Sequence, residues 1–124
     1  MGTAEDLAFL LSDSGTAHVD ASDVLHVVDK SLREKNKLMP RGMTEADAWM
    51  ARHGNPLAST EAALLLAHMA GKVDGMAIEL LTDMGVTVTV NYFKASGTAK
   101  CDSLPIAICA AVMDSIAKRE AINV

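Results

Sequence analysis

The clearest pattern of apolar and polar positions is the run Gly85-Val-Thr-Val-Thr-Val-Asn-Tyr-Phe93, where Val86, Val88 and Val90 alternate with threonine. A repeat of two puts every valine on one side of an extended chain, which is the signature of a strand with one buried face. The pattern predicts a strand over 86–93 and a return strand over 98–102, joined as a hairpin with Gly97 at the turn. Beyond Cys101, either Asp102 or Ser103 can cap a helix with Pro105 in its first turn, where a missing N–H costs nothing. That helix is expected over 104–120. Ile108, Cys109, Val112 and Ile116 share one face, and Ala107, Ala110 and Ala111 permit close approach to a neighbour.

Upstream of Gly85 the pattern reads as helical. Thr3 to Leu11 forms a short amphipathic segment with Leu7, Phe9, Leu10 and Leu11 grouped together. Val24, Leu25, Val28 and Leu32 recur at spacings of one, three and four and predict a helix over 21–35, whose last turn carries cations suited to the helix dipole. Pro40 and Gly42 break the chain. Thr44 and Asp47 approximate a capping box for a helix over 45–52, which Gly54 stops. Ser59-Thr60-Glu61 opens a helix over 61–70, so apolar that it is expected to be buried on more than one side. Asp74 can cap a further helix over 75–84, with Ile78 and Leu80 or Leu81 inward and Gly85 at its C-terminal cap. The expected fold class is α+β: helices packed on a small antiparallel sheet. It forms one domain over 1–124, with a helical part at 1–54 and an α-β-β-α core at 55–120. Two strands leave open edges, so a homo-dimer or higher oligomer is expected.

Composition narrows this picture. With 124 residues and 50% hydrophobic content the chain can bury one core, and with 3% aromatic residues that core is aliphatic. A net charge of −5 argues against a nucleic acid polymer as partner, since phosphate binding needs a basic face. The chain shows no charged leader and no run of eighteen apolar residues, so the expectation is a soluble, untargeted, cytoplasmic protein with no membrane partner. Cys101 and Cys109 lack the CxxC spacing and read as buried thiols of a reducing compartment.

No pattern of catalytic residues emerges. His18, His26, His53 and His68 form no HxxxH or HExxH pair, there is no GxSxG, and no glycine-rich turn has phosphate-loop spacing. Cys109 has no histidine near it in sequence and reads as inert. The expectation is a protein without catalytic residues, metal or cofactor. Two clusters stand out. Arg33 to Lys37, with Arg41 and Arg52, is a basic stretch in an acidic chain, and Asn91-Tyr92-Phe93-Lys94 places amide, rings and ammonium at a strand tip. A small anionic ligand carrying a base would use guanidinium forks and an aromatic face. The plainer alternative is a solvated loop and a strand end packed by its own rings.

Ser59-Thr60-Glu61-Ala62-Ala63, the alternating strand, its return and Ser103-Leu104-Pro105-Ile106-Ala107-Ile108-Cys109-Ala110-Ala111 resemble the small phage proteins of the ABA-sandwich type. Glu61 stands where those proteins usually carry Asp, 74–84 looks enlarged, and the first fifty residues have no counterpart. The resemblance covers 55–117 and implies a phage or prophage accessory protein assembled as an oligomer. Some members look like Thoeris anti-defence sponges, which bind cyclic nucleotide-derived immune signals without cleaving them. On that reading the ligand-binding set is Arg41, Trp49, Arg52, Asn91, Tyr92 and Lys94. Arg41 and Arg52 would grip phosphate, Trp49 or Tyr92 would stack on a base, and Asn91 would hydrogen-bond. The alternative is a protein-protein binding module that inhibits or regulates a host protein through an acidic surface.

Overall fold

A computed structural model describes residues 3–14, 23–25, 27–28, 49–71, 73–81, 85–92 and 95–122. Its elements run α1 (Thr3–Ser14), α2 (Thr60–Met69), β1 (Val73–Leu80), β2 (Val86–Tyr92), β3 (Ser96–Cys101) and α3 (Leu104–Ile122), with further helical residues at 23–25, 27–28 and 49–53. The fold is α+β, with helices against a three-stranded antiparallel sheet in the order β1-β2-β3.

The valine alternation does form a strand. Val86, Val88, Val90 and Tyr92 are buried, while Thr87, Thr89 and Asn91 are partly exposed. β3 alternates in the same sense, with Gly97, Ala99 and Cys101 buried and Ser96, Thr98 and Lys100 exposed. Paired residues of an antiparallel ladder share a face. Gly97, Ala99 and Cys101 lie opposite Val90, Val88 and Val86, so the two strands present one apolar surface. α3 lies across it, and α1 and α2 both pack against α3.

Two expectations about this region need correction. The hairpin does not turn at Gly97: the Tyr92 amide donates to the Ala95 carbonyl at 2.9 Å, so the chain reverses between those residues, and β3 begins at Ser96 rather than 98. Gly97 sits inside β3 because α3 comes too close for a side chain. A Cβ there would overlap the Ala111 carbonyl and stand 2.6 Å from the Ser115 amide nitrogen.

The second correction concerns 75–84. Residues 75–80 of this segment belong to the strand β1 and not to a helix, 82–84 lie outside the described residues, and the core is α-β-β-β-α. Ala, Met, Glu and Leu favour helix intrinsically, but Met76, Ile78 and Leu80 also alternate with Ala77 and Glu79, and β2 offers a ladder for them. Gly85 accordingly closes a hairpin: the Leu81 amide donates to its carbonyl at 2.9 Å.

α1 and α2 are more sharply one-sided than their composition suggests, whereas α3 is buried without interruption from Ala107 to Met113. Ala4, Leu7 and Leu11 bury one stripe of α1, whereas Phe9 is 66% exposed instead of joining it. α2 starts where Ser59 Oγ accepts from the Ala62 amide at 3.3 Å. It buries Ala62, Ala63, Leu66 and Ala67 but leaves Glu61, Leu65 and His68 to solvent, so it is covered along one stripe and not all round. Val24, Leu25, Val27 and Val28 are buried, Leu32 lies outside the described residues, and Gly54 ends the 49–53 turn at φ +99°. In α3 the Ser103 carbonyl accepts from the Ala107 amide at 2.9 Å, with Pro105 in the first turn as expected. Among the described residues no helix is long and apolar enough to cross a membrane.

Replacing Gly97 by Ala is expected to cost about 3 kcal/mol or more, because the obstruction is backbone and cannot swing away. Gly75→Ala, where a Cβ would meet only Asn91 Nδ2 at 3.9 Å, is expected to stay within about 1 kcal/mol. Urea unfolding of the two variants beside the parent checks both.

Candidate functional site

Four of the six residues of the predicted ligand set are described, and their side chains are held in different surroundings. Arg41 and Lys94 lie outside the described residues. Trp49 is buried, with its Nε1–H donated to Met69 Sδ at 3.0 Å and its ring tilted against His53. Tyr92 is buried on the helix side of β2 and donates its hydroxyl to the Ala67 carbonyl at 2.6 Å. The Arg119 guanidinium lies 5.2 Å from the Tyr92 ring centroid, so that ring face is taken. Asn91 precedes Tyr92 in the strand and points to the opposite side of the sheet, where its Oδ1 accepts from Ser96 Oγ at 2.7 Å. Arg52 is exposed on the 49–53 turn. Both rings are thus tied to α2 through their polar atoms, and the amide and the tyrosine are separated by the sheet.

The cysteines are equally committed to the interior. Cys101 Sγ donates to the Leu11 carbonyl and Cys109 Sγ to the Pro56 carbonyl, each at 3.3 Å. Burial pushes the Cys109 thiol well above its ordinary ionisation range, and Cys101 nearby pushes it the same way. A thiol that is buried and protonated at neutral pH is not a nucleophile. Burial likewise raises Tyr92, with Arg119 partly opposing it. Among the described residues no three His, Cys, Asp or Glu side chains are grouped so as to hold a metal ion.

A concave surface lies elsewhere. α1, β3 and α3 enclose an open groove of about 820 Å³ lined by Glu5, Asp6, Ala8, Phe9, Leu10, Thr98 and Asp114. Asp114 is fixed there, accepting from the Thr98 amide at 3.0 Å and pairing with Lys118 Nζ at 3.0 Å. With Asp114 paired to Lys118, Glu5 and Asp6 leave the groove acidic beside an exposed phenyl ring, which suits a cation with an apolar stem. None of these residues stood out in sequence, although the spacing of Ala4, Leu7 and Leu11 held the signal. Phe9 falls about 200° around the helix from Leu7, off the buried stripe. Thr98 and Asp114 meet only through the tertiary fold.

Comparison with protein-family models, with curated proteins and with solved structures finds no match for this chain.

The buried thiol and phenol set a direction for pH dependence. Unfolded, they ionise near their ordinary values of 9.0 and 10.0; folded, both hold their protons longer. The unfolded chain therefore releases protons first, so stability is unaffected by either group at neutral pH and falls as pH rises past 9 and then past 10. The slope approaches about 1.4 kcal/mol per pH unit for each group. Denaturation midpoints across that range are expected to show the decline, and Cys109→Ala is expected to flatten its first part.

Proposed function

We propose that the protein is a non-catalytic binding protein of the phage accessory kind, and that it works by occupying a host protein through the groove between α1, β3 and α3. The observation that carries this reading is Phe9, a 66% exposed ring standing in a concave wall beside Glu5, Asp6 and Asp114. An exposed aromatic in a depression is the usual anchor of a protein interface, and acidic groups around it select and steer a basic segment. The matching target segment carries lysine or arginine beside an apolar side chain. Its cation meets the carboxylates, and its stem or an arginine plane covers the ring.

Affinity capture from bacterial extract, followed by titration of whichever protein is retained, tests this reading. Phe9→Ala is expected to weaken binding at least about tenfold while changing stability by less than about 0.5 kcal/mol. Glu5→Gln with Asp6→Asn is expected to slow association and reduce its salt dependence. Retention of the same partner at unchanged affinity by all these variants would remove the groove from the account.

A second reading, sequestration of a small nucleotide-derived host defence signal, is favoured by the exposed Arg52 and by the polar face of the sheet around Asn91. With Trp49 and Tyr92 bonded internally, the base would rest on that polar face or on a surface completed by another copy. Titration with cyclic oligonucleotides and cyclic ADP-ribose isomers separates the readings. Intact ligand recovered after heat denaturation is the expected mark of a sponge, and absence of binding across the panel refutes it.

A further inference from the structure

The two edges of the sheet differ. On β3 the outward amide of Thr98 donates to Asp114 Oδ2, and α1 packs against the same strand. On β1 the hairpin determines which backbone groups point outward. The Leu81 amide bonds the Gly85 carbonyl, and hydrogen-bonded pairs alternate along an antiparallel ladder. Glu79 and Ala77 therefore bond to Thr87 and Thr89, while the N–H and C=O groups of Met76, Ile78 and Leu80 point away from β2. Among the described residues no strand lies beyond them. The same three residues share the helix-side face of the sheet with Val90, Val88 and Val86, yet Leu80 is 79% and Ile78 46% exposed. α3 packs on β2 and β3, Met76 is partly buried against the core, and Ile78 and Leu80 stay exposed.

We propose that β1 pairs antiparallel with β1 of a second copy about a two-fold axis through Ile78, joining two three-stranded sheets into one of six strands. An axis along the sheet normal keeps both helix layers on one side and matches helix-side residues with helix-side residues. Centred on Ile78, the register sets Ile78 against its counterpart, Met76 against Leu80 and Ala77 against Glu79. Three rows of apolar contact form on the helix side, and each carboxylate faces a methyl group. Moving the axis to Ala77 would set Leu80 against Asp74, and moving it to Glu79 would oppose two carboxylates, so burial and charge select one register. A second copy is the occupant because the strand complements itself in this register. The β3 edge of another copy cannot substitute, since Asp114 and α1 already occupy it. The contact lies at the far edge of the sheet from the groove and stands or falls independently of what the groove binds.

Sedimentation of the full chain, together with cysteine trapping, tests the pairing. The parent is expected at twice the 13.1 kDa chain mass. Leu80→Lys and Ile78→Lys, both at exposed positions, are expected to keep the parent's circular dichroism and to raise the dimer dissociation constant at least about 100-fold. Ile78→Cys is expected to oxidise to a covalent dimer, because directly opposed residues of a bonded pair stand about 5.5 Å apart, within disulfide range. Glu79→Cys, offset from its counterpart, is expected to remain uncrosslinked, and the native Cys101 and Cys109 are buried and do not interfere. A parent that is monomeric at about 100 µM, a dimer that survives both lysine variants, or equal trapping at 78 and 79 would overturn the proposal.

Discussion

The structure depends on how closely α3 can lie on β3. At Gly97 there is no room for a methyl group between the strand and the Ala111–Ser115 turn of the helix. Ala99 on the strand and Ala107, Ala110 and Ala111 on the helix are all buried. Small side chains let two backbones approach and trade area per residue for continuous contact, which is how a chain with few aromatics reaches interior packing density. The close seam also brings the Asp114 carboxylate onto the Thr98 amide. The floor of the groove and the closed edge of the sheet thus follow from one glycine.

The same scarcity of rings explains how the aromatic residues are used. Trp49 and Tyr92 each carry one polar hydrogen, and each spends it on α2, at Met69 and Ala67. They fasten that helix to the 49–53 turn and to the end of β2. Burying either ring without such a partner would leave a desolvated donor, so anchoring and burial come together. Phe9 has no polar atom to satisfy, and among the described Phe, Tyr and Trp residues it is the ring left facing water.

Much of the fold was legible in the sequence, for identifiable reasons. β2 was readable because its period of two is undiluted, and α3 because a long, nearly all-round apolar run follows a cap residue and a first-turn proline. β1 was not, because Met, Ala, Glu and Leu suit either state locally, and only the neighbouring valine strand decides between them. Gly97 reads as a turn residue for a related reason: the backbone that demands a glycine there, at Ala111, lies fourteen residues further along the chain. The candidate site was barely legible. Tyr92 and Asn91 are adjacent in sequence, and that adjacency itself sends them to opposite faces of a strand. Phe9 was grouped with the apolar positions of α1 by type, when its angular position set it apart.

The groove beside β3 and the bare strand β1 sit at opposite margins of the sheet, separated by β2 and about 10 Å of backbone ladder. They share no side chain. With no element common to both, a ligand at one margin has no differential affinity for the two states of the other, and the coupling free energy between them is near zero. Were both surfaces to take the partners proposed for them, filling one would leave the dissociation constant at the other unchanged, as two separate, additive equilibria.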